Sequence, residues 1–249
     1  MPGPVIIIGS FVSPYVRKVL ACLNLKGVEY QVDPITPFFG NDEFERLSQL
    51  RRIPVLVDGD FSLSDSSAIC AYVEEAYDGH RLLPENPRDR ARARWLEEYA
   101  NSRLGECLIW NLFYQKIVRP LVWGEPGDEA RIGKALGEEI PAACDYLEGE
   151  LPDDGYLFGD IGLADIAIAS FFRNGAYAGF EPDPLRWPRL AHFLERTLGH
   201  PAIDDLLRFE DVQRNAEIRA RRQALLDAGA PLSEQSWGTR EPRRGKMPL

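Results

Sequence analysis

Membrane-length apolar runs are missing from this chain. A bilayer span needs about 20 consecutive apolar residues, and nothing in the sequence approaches that. The apolar run near the start, Val5 to Ile8, is too short for a signal-peptide core. A cytoplasmic protein with no membrane partner is expected. Basic residues are scarce beside acidic ones, 29 against 39, for a formal net charge of −10. That balance argues against nucleic acid and anionic lipid as partners. The four cysteines, Cys22, Cys70, Cys107 and Cys144, form no CxxC pair and no ligand-like spacing with His80, His192 or His200. Neither a metal site nor a redox dithiol is expected, and the cysteines read as buried, inert thiols.

What is present suffices for packed cores. The chain has 249 residues, 45% of them hydrophobic, enough for two ordinary domains. Val5-Ile6-Ile7-Ile8 is β-branched and reads as a buried strand. Ser13 is a good helix N-cap, and Pro14 suits the first turn. Val16, Val19, Leu20 and Leu23 then follow helical spacing up to a stop at Gly27. The Ser13 hydroxyl is thus expected at the positive end of a helix, where an anion is stabilised. The plainer reading is that Ser13 only caps the helix.

Two further motifs follow. Val55-Leu56-Val57 and Phe61-Ser62-Leu63 flank Asp58-Gly59-Asp60, a hairpin signal. Pro54 stands just before the hairpin. A cis Ile53-Pro54 bond would expose the Ile53 backbone to an extended peptide ligand. Asp65-Ser66 opens a helix with Ile69, Tyr72, Val73 and Ala76 on one stripe. Its N-terminus could take a carboxylate and Asp65 an ammonium, or the pair could be a cap with no ligand. Glu29 to Val32 supplies another strand, and Asp42 to Ser48 a short helix.

The order β-α-β then β-β-α, with these motifs at one edge, resembles the cytosolic glutathione transferases. The tau- and zeta-like serine-type members, with Ser-Pro-Phe or Ser-Pro-Tyr, match best. The likeness extends to Leu82-Leu83-Pro84, which looks like the family's linker. Gly159-Asp160 with Leu163-Ala164-Asp165-Ile166 looks like its core-helix capping motif, with Gly162 where a Ser or Thr is usual. Trp187-Pro188-Arg189-Leu190 and His200-Pro201 look like its late helices. The resemblance implies an α/β thioredoxin-like N-terminal domain followed by an all-α C-terminal domain. The expected boundaries are 1–80 and 87–228, with a tail at 229–249 that contains Trp237.

By the same resemblance Ser13 is the catalytic position, activating glutathione as a thiolate. Arg52 would contact the glycyl carboxylate, and Ile53 ahead of the cis-Pro54 would pair with the cysteinyl unit. Asp65 and Ser66 would hold the γ-glutamyl end. Glutathione is then a cosubstrate, and no cofactor is implied. In the family the second substrate lies between the domains. Phe11, Val12, Tyr15 and Phe38, with Leu108, Asn111 and Phe113, are the candidates for an apolar, aromatic electrophile, although aromatics at helical spacing are more often core. Arg17, Lys18, Arg51 and Arg52 cluster in sequence near the proposed site, with a solvated helix face as the plainer reading for the first two. A homodimer is also implied, built from the helix at Ser66 to Tyr77 and the long helix beginning near Arg88. The alternatives are a glutathione-dependent isomerase or peroxidase, and a non-catalytic protein-binding module. Serine rather than cysteine at position 13 disfavours disulfide exchange, which needs a thiolate on the enzyme. Ser13, Arg52 and Ser66 together count against the non-catalytic module.

Overall fold

The computed structural model describes residues 4–244. Two compact units divide the chain: Met1–Arg81 with Pro201–Leu249, and Leu82–His200. The expected domains, 1–80, 87–228 and 229–249, cut the chain elsewhere. The contact division groups the last helices and the tail with the first unit rather than with the helical one.

The first unit is built on a four-stranded sheet in the order β2-β1-β3-β4. The strands are β1 (Val5–Ile8), β2 (Tyr30–Asp33), β3 (Val55–Asp58) and β4 (Phe61–Ser64). β1 and β2 run parallel, and β3 pairs antiparallel with both β1 and β4. Helix α1 (Pro14–Lys26) supplies the crossover between the parallel strands. Its stripe of Val16, Val19, Leu20 and Leu23 is fully buried. Gly27 ends it in the left-handed region at φ 66°, where its N–H reaches the Asn24 carbonyl at 3.1 Å. Asp58 pairs with Phe61 across the two-residue turn Gly59-Asp60. Helices α2 (Asp42–Leu47) and α3 (Ser66–Ala76) complete the first 81 residues.

Helices α9 (Pro201–Asn215) and α10 (Arg221–Asp227) belong to the same unit. So does the stretch after them, which is ordered through a second set of backbone bonds. Val32 N–H donates to the Pro231 carbonyl at 2.7 Å, and Ser233 N–H to the Val32 carbonyl at 3.1 Å. Leu232 thus forms a parallel bridge on β2, the edge strand, and covers backbone groups that an open edge leaves unpaired. Further on, Thr239 N–H reaches the Phe39 carbonyl and Arg243 N–H the Phe38 carbonyl, both at 2.7 Å. Trp237 is buried with Ile8, Phe44 and Val55, and Ile35, Leu47 and Ile53 pack against the group.

The second unit is helical. α4 (Pro87–Tyr99) runs without a break into a π-wound stretch, Ala100–Trp123. By the usual rule a proline such as Pro120 ends or kinks a helix. The stop is instead Gly124 at φ 65°, whose N–H bonds the Pro120 carbonyl at 3.0 Å. α5 (Glu129–Lys134) and α6 (Ile140–Glu150) are joined by a π-wound segment, Ala135–Glu139. The wider turn just before Pro141 accommodates a proline that would otherwise interrupt the helix. α7 (Leu163–Tyr177) is buried nearly all round, as its apolar sequence predicts, and α8 (Pro188–Leu198) follows it. Gly162 has a steric reason. A Cβ there would lie 2.9 Å from the Leu82 carbonyl oxygen, which accepts from Leu163 N–H at 2.9 Å. Asp165 does the capping, accepting from the N–H groups of Gly162 and Leu157 at 2.9 and 3.0 Å.

Among the described residues none accepts a hydrogen bond from Trp237 Nε1, so the Trp237 side chain is held by packing. Replacing it by alanine is expected to cost about 3–5 kcal/mol, and by phenylalanine clearly less. A urea midpoint unchanged in Trp237→Ala would show that the tail contributes nothing to this core.

Candidate active site

The sheet register decides which loops meet. Ile8 is paired with Asp33 on one side and with Val55 on the other, and Val55 is paired with Ser64. Asp33, Ile8, Val55 and Ser64 therefore form one row across all four strands. β1 and β4 leave the sheet at this row, and β3 enters just there. Gly9, Pro54 and Asp65 are the next residues outward on three adjacent strands, with successive strands about 4.8 Å apart. The three motifs singled out in the sequence thus share one sheet edge.

From β1 the chain turns through Gly9 to Val12 into Ser13, the N-cap of α1. Ser13 Oγ accepts from Val16 N–H at 3.4 Å, and Ser13 N–H donates to the Ser10 carbonyl at 3.0 Å. The side chain is half-buried. An acceptor bond from Val16 leaves the hydroxyl proton available for donation, at the end of the helix where negative charge is favoured. Gly9 is required by crowding. A Cβ there would lie 2.5 Å from Val16 Cγ2 and 3.2 Å from Ile53 Cβ. The same distances place Ile53 directly beside the connection that leads to Ser13.

The Ile53-Pro54 peptide bond is cis, as expected. Ile53 lies two residues before Val55, the first residue of β3 and the partner of Ile8 in β1. Before it, Arg51 is buried and donates to Glu45 at 2.8 Å and to the Gly40 carbonyl at 3.1 Å. Arg52 is exposed, and its N–H donates to Ser48 Oγ at 2.9 Å.

At β4 the chain turns sharply at Asp65, a non-glycine residue at φ 88°. Such a conformation costs about 1–3 kcal/mol, persists only where the surroundings over-determine it, and concentrates at functional sites. The Asp65 carboxylate accepts from Ser67 and Ala68 N–H at 2.9 and 3.1 Å, capping α3. Ser66 is the first residue of α3 and is buried. Lys18 of α1 approaches Ser67 Oγ at 3.5 Å, tying the first motif to the third.

The cations behave differently from one another. Arg17 and Lys18, for which a solvated helix face was the plainer reading, are both buried. Arg17 makes a two-pronged ion pair with Glu210 of α9, one prong at 2.7 Å. Arg51 is committed to Glu45. Of the four, only Arg52 is exposed to solvent.

The candidate second-substrate residues divide between the units. In the first, Val12, Tyr15 and Phe38 are half-buried. Phe11 is buried and packs on Phe209, ring centroids 5.3 Å apart. In the second unit, Leu108 is fully buried and Phe113 nearly so. Asn111 is half-buried and donates to Glu139 at 2.9 Å. All four cysteines are buried free thiols. Burial pushes the Cys107 and Cys144 thiols up to about 12, so neither supplies a thiolate near neutral pH.

Two residues that touch this edge were not visible in the sequence reading. Gln213 of α9 bonds the Ser10–Phe11 turn. Asp33, at the end of β2, accepts from Gly9 N–H through its carbonyl at 2.9 Å. Its buried carboxylate, pushed above its usual range by desolvation, accepts from Trp237 N–H at 2.8 Å. A lone Gln in a helix and a lone Asp at a strand end carry no local pattern. Only a buried amphipathic α9 could have hinted at them. Among the described residues no cluster of His, Cys, Asp or Glu could hold a metal ion, and no helix is long and apolar enough to cross a membrane.

A thioredoxin-like sheet unit with a helix-capping serine, joined to a helical unit, defines a class of small-thiol-binding proteins. Comparison with known proteins narrows it. Residues 7–81 match the glutathione S-transferase N-terminal domain family and residues 109–201 the C-terminal domain family. A maleylacetoacetate isomerase of Pseudomonas aeruginosa is 30% identical over 194 residues, which is 75% of this chain and 87% of that protein. A probable glutathione S-transferase of Nicotiana tabacum is 29% identical over 65% of this chain, and the match spans just under two thirds, 66%, of the tobacco protein. The crystal structure of a glutathione S-transferase from Rhodospirillum rubrum superposes with a TM-score of 0.75 at 25% identity, over 82% of this chain and 91% of that one. The chain belongs to the glutathione S-transferase family.

Gly9→Ala is expected to destabilise the first unit by about 1–3 kcal/mol through overpacking. Adding Val16→Ala, which removes the clashing methyl groups, should recover part of the loss. Equal urea midpoints for wild type and Gly9→Ala would refute the close approach.

Proposed function

We propose that this chain binds glutathione along the edge formed by Ser13, Ile53 and Asp65-Ser66, and uses it as a thiolate nucleophile on a small apolar electrophile. The observation that carries this reading is the strand register, which brings the three motifs level with one another. Ser13 donates its hydroxyl proton to the glutathione sulfur and stabilises the thiolate, the form that attacks. The backbone of Ile53 pairs with the cysteinyl unit as an added strand would. Ser66 and the N-terminus of α3 receive the γ-glutamyl carboxylate, and Asp65 its ammonium. Arg52 takes the glycyl carboxylate. The electrophile is then aligned for attack by proximity alone, with no cofactor in the scheme. Val12, Tyr15 and Phe38 are the side chains of the first unit proposed to face it.

A second reading, isomerisation, is favoured by the similarity to the maleylacetoacetate isomerase. There the same thiolate would add reversibly to a carbon–carbon double bond. Rotation and elimination would follow, and glutathione would be returned unchanged. A panel of aromatic electrophiles beside maleylacetoacetate separates the two.

Glutathione-saturated wild type is expected to show thiolate absorbance near neutral pH. Ser13→Ala should shift that curve to higher pH and reduce turnover about 10²–10³-fold, as for loss of one donor to a developing anion. Ser66→Ala should weaken glutathione binding by roughly 1.5–3 kcal/mol, the worth of a hydrogen bond to a charged group. Coincident curves for wild type and Ser13→Ala would make Ser13 a helix cap only. Calorimetry showing no binding by the wild type would end the enzymatic reading.

The family also supports a two-fold homodimer built from α3 and the α4 side of the long helix. Exposed aromatic surface on β4 beside α3, and on α4, agrees with it. Phe61 is 43% exposed with its ring 5.1 Å from Tyr72, and Trp95 is 48% exposed on α4. Light scattering at micromolar concentration should give twice the 28.1 kDa chain mass, and a monomer mass would refute the assembly.

A further inference from the structure

Ser13 is held from a distance by α9. Gln213 is buried at 2% exposure, and three groups engage its amide. Its Oε1 accepts from Ser10 Oγ at 3.1 Å and from Phe11 N–H at 2.9 Å. Its Nε2 donates to the Pro34 carbonyl at 2.9 Å. Ser10 passes the restraint on. Its hydroxyl oxygen accepts from Val12 N–H at 3.3 Å, and its carbonyl accepts from Ser13 N–H at 3.0 Å. One side chain thus spans the connections after β1 and after β2, and the turn that it fixes ends at Ser13. α9 itself is kept in place by its neighbouring positions. Phe209 packs on Phe11, and Glu210, three residues before Gln213, pairs with Arg17 in α1.

We propose that Gln213 is a positioning residue for the Ser13 hydroxyl, so that α9 sets how strongly the bound thiol is acidified. This rests on the glutathione reading given above. A buried amide with each polar atom engaged locks one geometry, whereas an apolar side chain of the same size would fill the space and leave the turn free to shift. A shift of about 1 Å in a group that donates to the reacting atom is enough to cost two orders of magnitude in rate. Gln213 makes no contact of its own with the ligand in this scheme. Its effect should therefore appear in the acidity of the thiol and in kcat, with the KM for glutathione little changed.

The test is the thiolate absorbance of bound glutathione against pH, with kcat and KM, for wild type, Gln213→Met and Gln213→Glu. Gln213→Met keeps the volume and loses all three hydrogen bonds. Its thiolate curve should move up by about one pH unit, leaving roughly tenfold less thiolate at neutral pH, with activity recovering as the pH is raised. Gln213→Glu keeps the acceptor for Ser10 and Phe11, and while its buried carboxyl stays protonated it can also donate to the Pro34 carbonyl, so in that pH range it should restore most of the wild-type curve. If Gln213→Met does not fold, Ser10→Ala removes one of the three bonds and should shift the curve in the same direction by less. A lowered Tm with an unmoved thiolate curve in Gln213→Met, or in Ser10→Ala where that is used, would overturn the proposal by making the contact structural only. A wild type with no thiolate signal would instead overturn the glutathione reading beneath it.

Discussion

The pairing of Ile8 with Asp33 and Val55 is the constraint on which the first unit depends. β1 lies between a parallel and an antiparallel neighbour, with Ile7 and Ile8 fully buried. The two side chains point to opposite faces and both are buried, so a slip of one residue on either side would exchange their packing sites. Packing on both faces therefore holds the register, and the register sets which loops meet. It decides that Gly9, Pro54 and Asp65 leave the sheet level with one another. A site assembled from three loops far apart in sequence needs no dedicated contacts among those loops if the strands beneath them are in step.

The row has a second consequence at its other end. Asp33 is level with Ile8, and its backbone bonds Gly9 while its carboxylate holds Trp237 N–H and Ser236 Oγ. A carboxylate this deeply buried is costly unless it is hydrogen-bonded, and the tail supplies the donors. Arg17 and Glu210 make the same kind of arrangement between α1 and α9. Neither charge would be tolerable there alone, since breaking a buried pair costs more than the pair contributes. These polar contacts are poor sources of net stability but strong sources of uniqueness: they admit one placement of residues 201–243 on the first unit. The burial of Trp237 and Phe209 supplies the free energy that such contacts do not.

The readable parts of the molecule are those coded within a few residues. Ser13 and Asp65 were legible as caps because the bonds they make, to Val16, Ser67 and Ala68, lie within three positions. The Gly59 turn and the buried stripe of α1 were legible for the same reason. The return of α9 and the tail was not, because Gln213, Glu210 and Trp237 find their partners about two hundred positions away, and a periodic helix does not name the surface that it covers. The general rule that proline breaks helices does not hold at Pro120 and Pro141, which both lie inside helical segments. π-winding relaxes that rule where a widened turn spares the missing N–H. Arg17 and Lys18 looked like solvent-facing residues because their type is usually exposed. The burial of Arg17 goes with an acidic partner in a distant helix, Glu210, which local sequence cannot supply.

Capping and acidifying a thiol are compatible duties for one serine. A hydroxyl has one proton and two lone pairs. Ser13 spends a lone pair on Val16 N–H, and that bond limits rotation about Cβ–Oγ by fixing where the oxygen points. The proton then has a narrowed set of directions, away from the Val16 N–H. A free serine would have to lose that rotational freedom when the sulfur arrives; a capping serine has already lost it on folding. In the proposed mechanism the cap would thus be part of the preorganisation that makes a single weak donor effective on a thiolate. It also explains why the residues that matter next are those that hold the turn before Ser13. An orientation inherited from the helix is only as good as the placement of the helix's first turn.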